Sequence, residues 1–289
     1  MSDAPGSRRP ARLHAAGAPA AAALLLLLLV SGCAPREMAR FAARRPAAVD
    51  AAHLEQQETI ARDPLGYLQT VARRCRQLEH YTFKFTRIER RGLLGRLHGP
   101  EHIACRVRRR PLSVYMKWLD EDVKYGESAY VEGGKVRFAP RRGWFGGPPT
   151  VTRVGLMTPV VWGEARHPLS EFGLERLMQR TLDEIQRAGP EVSIVYHGVR
   201  LVPDDGRPAH ALEFRFSPRC PEPRRRELYI DLASGYPACV RLMRSDGRLE
   251  AAYWFSELDT DVRLEDADFV LEAERRTAAS GDAAESERE

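Results

Sequence analysis

Hydrophobic and polar residues alternate through 101–119. Ile103, Cys105 and Val107 interleave with Ala104, Arg106 and Arg108; after Arg110-Pro111, Leu112, Val114, Met116 and Trp118 interleave with Ser113, Tyr115 and Lys117. A period of two places the two sets on opposite faces of a strand, so this stretch predicts two strands joined at Arg110-Pro111, apolar on one face and arginine-rich on the other. Just upstream, Tyr81, Phe83 and Phe85 alternate with Thr82, Lys84 and Thr86 and predict a strand over 81–89. The same reading predicts strands over 125–132 and 135–138 around Gly133-Gly134, one or two over 151–162, and five more over 191–202, 208–217, 226–232, 237–243 and 248–258. Ser234-Gly235 and Asp246-Gly247 mark the turns between the last three.

Two stretches change period. Leu68, Val71, Ala72, Cys75 and Leu78 recur at helical spacing after Asp63-Pro64, an N-cap acid followed by proline in the first turn. Leu174, Leu177, Met178, Leu182 and Ile185 form a second stripe, opposite Glu175, Arg176, Arg180, Asp183 and Arg187. Ser170 is the expected cap of this helix, Leu169 its staple to Leu174, and Gly189-Pro190 its stop. Helix, strands, helix, strands, joined by hairpin turns without βαβ alternation, predict an α+β fold. Its expected form is a large curved antiparallel sheet, a half β-barrel of about ten strands, with two helices packed on its concave face.

The N-terminus carries a different pattern. Arg8, Arg9 and Arg12 precede an apolar run over 18–30 that is short for a membrane span, and Val30-Ser31-Gly32-Cys33 follows. Residues 1–32 therefore read as a signal peptide. They resemble a bacterial lipoprotein signal, which implies cleavage before Cys33, lipidation of its thiol and attachment to the membrane through that lipid. Ala34 is not the aspartate that holds such lipoproteins in the inner membrane, so the outer membrane, facing the periplasm, is the expected location. The alanine- and arginine-rich residues 33–60 read as a flexible tether, 61–273 as the folded domain and 274–289 as a polar, disordered tail.

Charge and chemistry add little to this. The 289 residues are 43% hydrophobic with a formal charge of +5; residues 1–32 hold three arginines and one aspartate, so the remainder is at +3. Charges of both signs are mixed, which suits a solvated surface, and export makes nucleic acid an unsuitable partner for the basic run Arg106–Arg110 or for Arg141-Arg142 and Arg224–Arg226. These arginines read as the wet outer face of the sheet. Cys75, Cys105, Cys220 and Cys239 are an even set in an oxidising compartment and are candidates for disulfides, with three pairings open. His98, His102 and Cys105 have helical spacing on a segment that reads as strand, where His102 and Cys105 face opposite ways, so no metal site is expected. There is no nucleophile elbow and no phosphate-cradling loop, so neither catalytic residues nor a cofactor are expected. Asp120-Glu121-Asp122 reads as a solvent-facing turn.

Two blocks carry a family resemblance. One spans YTFKFTRIER, RVRRRPLSVYMKWL and YVEGG from Tyr81 onward; the other is YIDLASGYPACVRLM with YWFSELDTDVRLEDADF, ending at Phe269. Together they resemble the exported bacterial family called domain of unknown function fifteen seventy-one and, more remotely, the lipoprotein-carrier superfamily of LolA, LolB and LppX. Asp261-Val262-Arg263 departs from the Asn-x-Gly of the family, and Val262–Phe269 resembles the segment in which such proteins finish their last strand. The resemblance implies a hydrophobic half-barrel that holds a lipid or the acyl chains of a lipoprotein under a helical lid. On that basis Tyr81, Phe83, Phe85, Val107, Val114, Met116 and Trp118, on the apolar face, are the expected ligand-binding residues. The alternatives are a structural or interaction lipoprotein in which that face is simply core, and an envelope hydrolase.

Overall fold

A computed structural model describes residues 51–278 except 92–94, 144–146, 148 and 221–223. The signal peptide, Cys33, the first part of the expected tether and residues 279–289 of the expected tail lie outside the described residues.

The chain opens with two helices, α1 (Ala51–Arg62) and α2 (Pro64–Arg76). Asp63 caps α2 as its sequence requires, its Oδ1 accepting a hydrogen bond from the Gly66 N–H at 2.8 Å. α1 occupies the end of the stretch read as tether; its Ile60 is buried, and Gln57 Oε1 accepts from the Val199 N–H at 3.2 Å.

Six strands follow: β1 (His80–Arg91), β2 (Arg96–Arg108), β3 (Ser113–Trp118), β4 (Tyr125–Val131), β5 (Val136–Pro140) and β6 (Thr152–Val154). Then come a short helix α3 (Thr158–Val161), a 3₁₀ turn (Leu169–Glu171) and the long helix α4 (Leu174–Ala188). Five more strands, β7 (Val192–Leu201), β8 (Pro208–Phe216), β9 (Arg225–Asp231), β10 (Pro237–Met243) and β11 (Leu249–Asp259), precede a 3₁₀ turn (Asp266–Phe269) and a final helix α5 over 272–278.

The fold is α+β, as the pattern predicts: one open antiparallel sheet of eleven strands in the order β6-β5-β4-β3-β2-β1-β11-β10-β9-β8-β7. The hairpin read from 101–119 pairs Ile103 with Trp118, Cys105 with Met116 and Val107 with Val114. The two strand blocks meet where β1 pairs with β11, Phe85 opposite Phe255 and Arg87 opposite Tyr253. α2 and α4 bury their apolar stripes with Tyr81, Phe83, Phe85, Val107 and Val114 in one large core on the inner face of the sheet.

Four expectations are corrected. Only Thr152–Val154 of 151–162 is strand, and Thr158–Val161 is helical, because Pro159 has no N–H for a ladder but fits a first helical turn. Ser170 lies in the 3₁₀ turn and does not cap α4; Gly173 stands at that position with φ +110°, and the Leu174 N–H donates to Tyr81 Oη at 3.0 Å. Val262–Phe269 is not the end of a strand: β11 stops at Asp259, and the chain turns back across the outer face of the sheet.

That return is the fourth correction, because it covers the arginine face. Leu264, Phe269 and Leu271 pack with Tyr115, Ala129 and Ala139 in a second core. Arg106 stacks over Tyr115 and Arg108 over Phe269, each 4.9 Å from the ring centre, while Arg108 meets Asp266 at 2.7 Å and Lys117 meets Glu272 at 2.6 Å. Glu127 receives the backbone N–H groups of Glu272 at 2.7 Å and Ala273 at 2.8 Å. Arg226 points to the inner face and pairs with Glu184 on α4. Most of the eye-catching arginines are thus structural, stacked and paired. Asp120 also has a partner: both its oxygens accept from His102, through the ring Nδ1 at 2.8 Å and the backbone N–H at 2.5 Å.

Candidate functional site

The inner face of the sheet divides along β1. At its start Tyr81 and Phe83 lie in packed core against the entry to α4, with the Phe83 ring stacked on Phe172 at 5.8 Å. One alternation further, Phe85 meets Phe172 edge-on at 5.3 Å and stacks on Tyr253 at 5.7 Å. Beyond Phe85 a cleft of about 390 Å³ opens between the sheet and the helical side, where Leu177 and Arg180 of α4 also line it. Phe85, Met116, Trp118, Tyr125, Tyr253 and Phe255 form its floor and walls.

Its roof is the connection from α3 to α4. Pro159, Trp162, Pro168, Leu169 and Phe172 from this segment face the cleft. The roof is pinned at its edges by ion pairs, Lys124 to Glu164 and Arg166 to Glu250, both at 2.6 Å. Lys124 is largely exposed, so its pair contributes about 0–1 kcal/mol; Arg166 and Glu250 are mostly buried, and their pair is the firmer of the two. Met157, Val161 and Trp162, on and beside α3, are 51%, 78% and 59% exposed, three of the few large apolar side chains that the fold leaves in water.

The period of two continues past Phe85 and brings charges onto the apolar face. Arg87 and Glu89 are the next two inward positions of β1, and Glu101 is the corresponding one on β2. They are 9%, 3% and 7% exposed. Glu101 accepts from Arg87 Nε at 2.9 Å, from the Trp118 indole N–H at 3.0 Å and from Arg91. Tyr253 Oη donates to Glu89 Oε1. Burial alone pushes the Glu101 carboxyl up, yet Arg87, the Trp118 indole and Arg91 together hold it down at about 2. His167, on the roof, is pushed down to about 4 by burial and by Arg180, Arg166 and Arg226, so it is neutral at pH 7. The cleft is apolar over most of its wall and ionic at one end.

Of the residues expected to bind ligand, Phe85, Met116 and Trp118 line the cleft. Tyr81, Phe83, Val107 and Val114 share the core with α2 and α4; Tyr81 and Val107 also border a smaller cavity of about 240 Å³ beside Arg109 and Glu175. Sequence reasoning missed the roof residues, the β11 residues Tyr253 and Phe255, and the inward charges Arg87 and Glu89. The last two were signalled in the strand itself, where the alternation of Tyr81, Phe83 and Phe85 runs on into them.

The four described cysteines are free thiols. Cys75 and Cys105 are in the inner core, Cys220 packs against it, and Cys239 lies in a separate cluster with Ala209, Tyr229 and Trp254. Among the described residues no group of three or more His, Cys, Asp or Glu is placed to hold a metal ion, and no helix is long and apolar enough to cross a membrane.

Several solved structures are similar to the chain. MucB matches with a TM-score of 0.44 and 19% identity over 75% of this chain and 64% of MucB, so the chain spans less than two thirds of that protein's length; a complex of MucA and MucB from Pseudomonas aeruginosa matches too. The lipoprotein LppX of Mycobacterium tuberculosis matches with a TM-score of 0.42 and 12% identity, over 70% of this chain and all of LppX. A LolA superfamily protein from Nitrosomonas europaea gives 0.29 and 9%, over 71% of this chain and 96% of that one. No curated protein matches by sequence. A family model matches residues 78–276, from the end of α2 through all eleven strands into α5, and the chain belongs to that family, described as "Protein of unknown function (DUF1571)".

Proposed function

We propose that this protein is a lipoprotein of the bacterial outer membrane, anchored through Cys33, that holds the acyl chain of a lipid or lipoprotein non-covalently and catalyses no reaction. One observation carries the reading: a cleft of about 390 Å³ lies between the sheet's apolar face and α4, roofed by a segment that ion pairs pin at its edges. A pocket of this size, mostly apolar with a few convergent polar groups, has the form of a small-ligand site.

The mechanism follows from burial. Each methylene moved from water into the cleft contributes about 0.8 kcal/mol, so a dozen supply roughly 10 kcal/mol before the cost of ordering the chain and the roof. Swinging the roof aside breaks the Lys124 and Arg166 pairs and exposes Leu169 and Phe172 beside Trp162, opening an apolar path from the surface to Phe85 and Met116.

The test is organic extraction of the purified protein followed by mass spectrometry of the extract. Co-purifying acyl lipid is expected, and it should be lost when Met116→Trp fills the cleft floor. A lipid-free protein that also takes up no added fatty acid would defeat the proposal. The anchor is tested separately: Cys33→Ala should release the chain from membranes, and continued attachment would refute that part.

A further inference from the structure

One stretch of the roof runs against the rule that governs the rest of the fold. From Val154 to Gly163 the chain carries no charge, and it includes Leu156, Met157, Val160, Val161 and Trp162. The helix at its centre, α3, buries none of its residues. The Val161 N–H donates to the Met157 carbonyl at 3.0 Å, which sets these two side chains one turn apart on the same side. They are 78% and 51% exposed, with Trp162 beside them at 59%. Trp162 and Pro159 also line the cleft, so the same tip meets the cleft on one side and water on the other.

The charges at either end of this run are already matched. Arg153 pairs with Glu274 at 3.1 Å and Glu164 with Lys124 at 2.6 Å. A patch that is apolar and locally neutral loses little on leaving water and has no charge with which to select an oppositely charged partner. Its size restricts the partner further. Even at about 250 Å² for each whole side chain, the exposed fractions of Met157, Val161 and Trp162 amount to less than about 500 Å², short of the roughly 800 Å² that a stable protein interface covers on each side. A bilayer needs no matching surface, and a few apolar side chains with a tryptophan among them enter its headgroup region. The tether brings one within reach. Between Cys33 and Ala51 lie residues 34–50, 17 in all, which span at most about 60 Å when fully extended. A chain anchored at Cys33 therefore keeps its domain beside the membrane at high effective concentration.

We infer that the α3 tip is a membrane-docking element: Met157, Val161 and Trp162 enter the headgroup region of a phospholipid bilayer, and the cleft is thereby presented to the lipid surface. This rests on the Cys33 anchor proposed above and goes beyond it by naming the face that the anchored domain turns to the membrane. Because the patch is neutral, docking depends on apolar burial, and neither salt nor the proportion of anionic lipid should change it.

The full-length lipidated chain, carrying Cys220→Ser and Val161→Cys, is labelled with the maleimide of the environment-sensitive fluorophore NBD. It is reconstituted in vesicles of phosphatidylethanolamine and phosphatidylglycerol, with and without a phosphatidylcholine that bears a doxyl group near the top of its acyl chain. In the reference protein Thr260→Cys, exposed just past β11, carries the label instead. Both proteins should float with the vesicles, with a blue-shifted emission and at least threefold stronger doxyl quenching at residue 161 than at 260. The difference should persist at high salt and in vesicles without phosphatidylglycerol. Met157→Glu should at least halve the quenching at 161 without altering flotation. Vesicle-bound protein whose label at 161 is quenched no more than that at 260 overturns the inference and leaves the anchor standing. So does a blue shift at 161 that grows with protein density on the vesicles but brings no doxyl quenching, because a second copy then covers the patch. Protein that does not float with the vesicles overturns both.

Discussion

Glu101→Gln tests whether the buried ionic end is held by charge. The substitution keeps the size of the side chain and an oxygen for the Trp118 indole, and it removes the negative charge that faces Arg87 and Arg91. Holding this carboxyl at about 2 in the folded protein against its ordinary 4.5 corresponds to about 3 kcal/mol of stability at neutral pH. Removal of one partner from a buried pair costs about 3–5 kcal/mol in general, the same range. The sign is set by the direction of the shift. A carboxyl held below its unfolded value contributes fully above about 4.5 and loses that contribution as the pH falls toward 2. Urea unfolding of the parent and the variant should therefore differ by about 3 kcal/mol at pH 7 and by roughly 1 kcal/mol at pH 3. A difference below 1 kcal/mol at pH 7, or one that stays constant between the two pH values, refutes the assignment of this stability to the charge network.

Three further expectations can be checked alongside. Gly173→Ala should destabilise by well over 1 kcal/mol in thermal melts, because φ is +110° and the new Cβ would stand 2.5 Å from Tyr81 Oη, the atom that receives the first N–H of α4. Of the four described cysteines only the half-buried Cys220 should be labelled by maleimide in the native protein: burial pushes the Cys75 thiol up to about 12 and raises Cys105 and Cys239 well above their usual range, and peptide mapping would show the result. His167 and His210 should titrate by NMR near pH 4, since burial is the main effect on both. Their depressed values stabilise the fold fully above about 6.5, and that contribution falls away as the pH drops toward 4.

Strand alternation made most of the fold legible. The register of the 101–119 hairpin, the strands from β7 to β11 and the two long amphipathic helices all follow from local periodicity and turn residues, because these are decided within a dozen residues of chain. Segments with mixed signals were less readable. The β-branched run at 151–162 reads as strand until Pro159 is given its weight, and Ser170 reads as a cap because the true partner of the α4 N-terminus, Tyr81, is 93 residues away. The cleft was half legible: Phe85, Met116 and Trp118 were found, and Tyr253, Phe255 and the roof residues were not.

The sequence by itself determined which side chains share a face of the sheet, since a period of two is a property of the strand alone. Only the tertiary structure decided what covers each face. On the outer side the C-terminal segment returns over Arg106 and Arg108, which stack on aromatic rings and pair with its carboxylates. On the inner side α2 and α4 pack with Tyr81, Phe83, Val107 and Val114 in the core, while Phe85, Met116 and Trp118, part of the same core, also line a cleft with Arg87 and Glu89 at its end. Periodicity carries no record of this, because much of the coverage depends on contacts between segments from about sixty to more than a hundred and sixty residues apart, such as Leu174 with Tyr81 and Asp268 with Arg106.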